Sequence, residues 1–130
     1  MPSEEVQEIN RITVEMLEKA PFPNSVRGDF YEWWSEKIGV KCTIVGQNYG
    51  EFDSQYLKKF LGPQYKSMFD YHSEDNWTLA KVLYRKGILE TDGLSLTDLT
   101  LALGILHKPH GAVSDCYATL ECYVKLQNLF

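Results

Sequence analysis

One stretch of this chain reads as a buried β-strand, and it stands almost alone among helices. Val40-Lys41-Cys42-Thr43-Ile44-Val45 is short, β-branched and nearly continuous in apolar character, as a parallel strand covered on both faces would be. A second, brief strand is expected over Ser67–Tyr71. The rest of the apolar pattern is helical. The chain therefore belongs to the α/β class, helix-rich with few parallel strands.

The opening segment carries Val6, Ile9, Ile12, Met16 and Leu17 and is helical by Thr13. Ala20-Pro21-Phe22-Pro23 stops it, because proline disfavours helix in the residue before it. A cap at Asn24 or Ser25 opens the next helix, which places Val26, Phe30, Trp33, Trp34 and Ile38 on one face and ends at Gly39. Asp53 leads a short helix holding Tyr56, Leu57, Phe60 and Leu61, closed by Gly62-Pro63. Asp75 or Asn76 caps another, with Leu79, Ala80, Leu83 and Tyr84, ended by Gly87. Ser95 to Leu103 follows, with Gly104 as its stop. Residues 112–129 form the last, with Val113, Tyr117, Leu120 and Val124 directed to the core.

Length and composition narrow the function. A chain of 130 residues fits one domain with its own core, and repeats and Ser/Gly linkers are absent. A net charge of −5 argues against coating nucleic acid by bulk electrostatics, though not against admitting one strand end to a local site. Cys42, Cys116 and Cys122 are odd in number and lack metal-finger spacing, so they read as reduced thiols of a cytosolic protein. No apolar run approaches the roughly 20 residues that span a bilayer. The acidic start Met-Pro-Ser-Glu-Glu is not a signal peptide. A cytoplasmic location without membrane partners is expected.

Three side chains carry the chemistry. His110 and Asp115 stand at the mouth of the last helix, and Asp53 heads a helix that follows the strand. Two carboxylates and a histidine from separate segments can meet around a divalent metal, which is how many phosphodiester-cleaving sites are built.

Four segments turn this into a resemblance. His110-x-Ala112-x-x-Asp115 resembles the third motif of the DEDDh 3′→5′ exonucleases, the group that includes polymerase proofreading subunits and ribonuclease T. Ser95-Leu96-x-x-Leu99-x-x-x-Leu103-Gly104-Ile105 resembles the helix just before it. Val45-Gly46-Gln47-Asn48 with Phe52-Asp53 and Leu57 is similar to the second motif. Asn10-Arg11-Ile12-Thr13-x-Glu15-Met16-Leu17-x-x-Ala20-Pro21 is similar to the segment after the family's third strand. The four occur in family order and cover nearly the whole chain.

The resemblance implies a ribonuclease H-like exonuclease fold, truncated at the N-terminus, with residues 1–130 as a single partial exonuclease domain. It implies Mg2+ or Mn2+ in a two-metal site, with Asp115 and Asp53 as metal carboxylates, His110 as the base that deprotonates water, and Asn48 and Phe52 against substrate. The expected partner is the 3′ end of single-stranded DNA or RNA. Departures are specific. Gln47 stands where the family often has His, Arg11 where it often has Gly, and the loop from Asn48 to Asp53 is one residue longer than the commonest form. No Asp-x-Glu pair, the family's first motif, occurs in the sequence. The metal site is then incomplete, and activity of the chain alone should be weak or nil. A partner chain supplying the missing strands, or self-association through the exposed strand edge, is expected.

Each residue also has a plainer role open to it. Asp53 would serve as a helix cap, Asp115 as a carboxylate favourable to a helix dipole, and His110 as a loop histidine. Glu4 and Glu5 suit a solvated helix start, and His72, Glu74 and Asp75 suit helix-start chemistry better than a metal cluster. His107 is out of register with Ala112 and Asp115 and is expected on the surface. Trp33 and Trp34 could stack on bases, but core packing is expected of at least one. The alternative to a nuclease is a non-catalytic nuclease-fold remnant that serves as a protein or nucleic-acid interaction module.

Overall fold

The computed structural model describes residues 3–130 as two compact units, Met1–Val40 and Lys41–Phe130. Among the described residues, the regular elements of the first are all helices. Glu4–Asn10 (α1) starts at Ser3, whose hydroxyl accepts from the Val6 amide, and carries Glu4 and Glu5 in its first turn, where carboxylates favour the helix dipole. Arg11, at φ 60°, closes it. Thr13 caps Val14–Lys19 (α2) through the Met16 amide. Pro23–Lys37 (α3) begins at its proline, with Phe22 as the cap residue, rather than at Asn24 or Ser25. Proline needs no amide partner in a first turn, so the helix starts two or three residues early. Phe30 and Trp34 are half-buried, while Val26, Trp33 and Ile38 are exposed. Gly39, at φ +66°, ends the helix as expected.

In the second unit the expected strand shrinks to its C-terminal end. Val45–Gly46 (β1) pairs in parallel with Glu74–Asp75 (β2), and Cys42 makes a separate parallel bridge to Phe69. Between these two points Tyr71 turns outward, 93% exposed. Val40 lies outside the ladder and is exposed. Each strand of this two-stranded sheet keeps one edge without a strand partner among the described residues. The strand expected over Ser67–Tyr71 is mostly absent. Tyr65–Met68 (α5) is helical instead, continuing Asp53–Leu61 (α4) through a 3-10 turn at Gly62–Gln64. Leu61, Tyr65 and Met68 are all buried, and their spacing of four and three is helical rather than alternating.

Asn76–Arg85 (α6), Leu96–Ala102 (α7) and Ala112–Gln127 (α8) build the core. Leu83, Leu99, Cys122 and Leu126 are wholly buried there together with Ala80, Leu89 and Ile105. The boundaries follow the expected caps. Asp75 accepts from the Trp77 amide, and Ser95 and Asp98 form a reciprocal capping box. Gly87 and Gly104 take positive φ just past α6 and α7. Lys125 then donates to the Leu103 carbonyl at 2.9 Å, satisfying an end of α7 from α8.

The buried face of α8 is not the expected one. Ala118, Cys122 and Leu126 point inward, whereas Val113, Tyr117, Leu120 and Val124 are 50–71% exposed. The row at every fourth residue wins because Ala118 and Cys122 are small. Their short side chains let the backbone of α8 approach α6, α7 and β1 closely. The larger residues form a second apolar stripe on the outside.

Candidate functional site

Two segments frame the site, the turn from Gly46 to Asp53 and the start of α8. Gly46 ends β1 and is buried, and a Cβ there would collide with the Tyr49 side chain. The turn folds back on a single carboxylate. Asp75 accepts from the amides of Asn48 and Tyr49, both at 2.8 Å, besides capping α6 through Trp77 at 3.0 Å. Gln47 is anchored by a 2.8 Å bond from its amide nitrogen to the Leu94 carbonyl, and its Oε1 is buried without a partner. Asn48, exposed, holds a φ of 55°, a left-handed conformation that asparagine tolerates.

Asp53 is the first residue of α4, exposed, behind Phe52 as the cap residue. It is therefore not the cap itself. Phe52 is 58% exposed and lies against Tyr56, ring centroids 5.4 Å apart. Tyr49 and Tyr65, both buried, share a hydroxyl–hydroxyl bond of 2.9 Å. Burial first, then the Tyr65 hydroxyl, hold the Tyr49 phenol well above its ordinary range, and the charge of Asp53 adds to this. Asp53 thus contributes negative potential to that end of the turn.

His110 is exposed at φ 69°, one residue before the Gly111 cap of α8. Asp115 lies in the first turn of α8, its side chain 38% exposed. Its partner is His107: Nε2 stands 2.6 Å from Oδ1 of Asp115, and the imidazole is 3% exposed. His107 is therefore not the surface residue expected from its register. Register along a helix says nothing about a loop residue that folds back onto that helix.

Further along the same face, Asn76 is fully buried and donates to the Thr119 carbonyl at 2.9 Å, leaving its Oδ1 without a partner. Tyr123 donates to Glu74, and this bond above all raises its phenol pKa. The side chains of Asp115 and Tyr123 thus tie α8 to His107 and Glu74, while Asn76 meets α8 at the Thr119 backbone carbonyl. Sequence reading saw Asn76 and Asp75 only as helix caps and Gln47 only as a departure from the family's His, and missed the long-range bonds that each makes. The bonds of Asp75 to residues 48 and 49 span 27 and 26 positions, and no local signal could show them.

Among the described residues, no three His, Cys, Asp or Glu side chains gather closely enough to hold a metal ion. Asp53, His110 and Asp115 are therefore not a metal-holding group in this structure, and His72, Glu74 and Asp75 are not one either. A groove of about 840 Å³ lies elsewhere, among Tyr84, Arg85, Leu89, Asp92 and Asp98. Among the described residues no helix is long and apolar enough to cross a membrane.

No curated protein and no solved structure matches the chain. The Exonuclease family model matches it over residues 1–123, which includes Asp53, His110, Asp115 and the connection carrying His107. Members of this family generally use divalent metals. The helix-rich arrangement with two parallel strands fits an α/β nuclease-like fold. On a match of that extent, with both motif segments inside it, the chain belongs to the exonuclease family.

Proposed function

We propose that this chain acts in 3′→5′ removal of nucleotides from single-stranded DNA or RNA ends, as part of a centre that it does not complete alone. The observation that carries the reading is the family match over residues 1–123. Asp53 and Asp115 each sit in the first turn of a helix and are the carboxylates offered to that centre. His110, exposed beside the start of α8, is the base, since an imidazole with a reference pKa near neutrality suits proton removal from water. Asn48 and Phe52, both exposed on the turn before α4, face the nucleotide. The described residues do not by themselves fit the Mg2+ or Mn2+ that such chemistry uses. Further carboxylates, of the Asp-x-Glu type absent from the sequence, must come from a longer form of this polypeptide or from a partner chain. The open edge of β1 offers the backbone groups such a strand would pair with, and the same edge is a route to self-association.

Digestion of a 3′-labelled single strand tests this. The purified chain with excess Mn2+ should cleave little above background. Adding the strands with an Asp-x-Glu pair, in cis or as a second chain, should establish 3′→5′ digestion that His110→Ala abolishes. The second reading, a non-catalytic interaction module, is favoured by the absent Asp-x-Glu pair. It prevails if the added strands stabilise the chain and no cleavage appears.

A further inference from the structure

Leu106 and His107 sit side by side between α7 and α8, and their exposure runs against their polarity. Leu106 is fully exposed, whereas the His107 side chain is 3% exposed. Turning an imidazole inward beside an exposed leucine costs free energy unless the ring finds a partner. It finds Asp115, with Nε2 2.6 Å from Oδ1. A carboxylate only accepts, so Nε2 carries the proton in this bond. Nδ1 is buried with no partner, and a second proton there would have no acceptor. The surroundings therefore hold the ring in one tautomer. A residue further on, Ser114 donates to the Lys108 carbonyl at 2.9 Å, so the connection is tied twice to the first turn of α8.

We infer that His107 is a positioning residue: it fixes the Asp115 carboxylate and pins the connection between α7 and α8, so that in the chain alone Asp115 is held by a histidine and takes a divalent ion only in the centre that further strands would complete. The inference rests on the proposed function only for the place of Asp115 in a nuclease centre. The pairing involves no metal and is measurable without nucleic acid.

Asp115→Ala strands the buried ring and should lower the folded-to-unfolded ratio about 30-fold in urea unfolding. Adding His107→Leu to it removes the stranded polar group and should recover most of that loss. Independent, multiplying losses would overturn the inference. Where a variant fails to fold, the unaltered chain still decides: ring ¹⁵N spectra should show the His107 proton on Nε2, and a proton on Nδ1 alone overturns the pairing. Mn2+ added to the unaltered chain should leave the Asp115 amide signal no more broadened than those of exposed surface carboxylates. Selective broadening at Asp115, with the His107 proton still on Nε2, overturns the hold of His107 on Asp115 in the chain alone. Failure of the proposed function would show instead as absent cleavage in the completed enzyme, which none of these readouts touches.

Discussion

Asp75→Ala should be among the most damaging single substitutions on the surface of the second unit, although its side chain is only half-buried. One carboxylate receives three backbone amides: Asn48 and Trp77 on Oδ1, Tyr49 on Oδ2. Losing the helix cap alone costs about 1 kcal/mol. The two long-range bonds to a charged acceptor are worth roughly 1.5–3 kcal/mol each, and the low end applies because water replaces part of each bond at a half-buried site. The expected loss is about 3–4 kcal/mol. With a urea slope near 2 kcal/mol/M, the unfolding midpoint should fall by about 1.5–2 M. Asp75→Asn keeps an oxygen for two amides but sets an NH2 against the third, and should lose about half as much. Hydrogen exchange at Asn48 and Tyr49 should quicken more in the alanine variant than exchange at Leu83 in the core. A loss below 1 kcal/mol, or unchanged exchange at residues 48 and 49, would refute the clamp as the device that shapes the turn before Asp53.

The two faces of α8 give a paired prediction: Leu126→Ala should cost about 2–5 kcal/mol as a buried truncation, while Val113→Ala should stay within about 0.5 kcal/mol, both read from urea midpoints. Cys116 is exposed and Cys122 buried, so a thiol reagent should label Cys116 in the native chain and reach Cys122 only on unfolding. Burial pushes the Cys122 thiol up to about 11, Glu121 adding to the shift and Lys125 opposing it. Because the folded state favours the neutral thiol, this contribution is intact below the ordinary thiol range. It is then lost as pH rises toward about 11, by roughly 2 kcal/mol at most. Urea midpoints at pH 8 and pH 10 should diverge, and Cys122→Ala should narrow the gap.

What the sequence determined by itself was local. Ser95 and Asp75 mark helix starts, and Gly39, Gly87 and Gly104 mark ends at positive φ. Each signal acts within a few residues of itself, so it survives whatever the fold does. The family was legible too, because its motifs are short and keep their order. What only the tertiary structure decided involves choices between near-equal local options. Helix α8 carries two apolar rows, and the one with small residues was buried because close approach to α6, α7 and β1 favours Ala118 and Cys122 over Val113 and Tyr117. The segment after Gly62 became helix rather than strand because Tyr65 and Met68 found a buried place one turn beyond Leu61. His107 was turned inward, past an exposed leucine, because Asp115 stood where its ring could reach. Charges and hydrogen bonds across eight or 27 positions depend on where the backbone returns, and that return is set by packing, which no local pattern encodes.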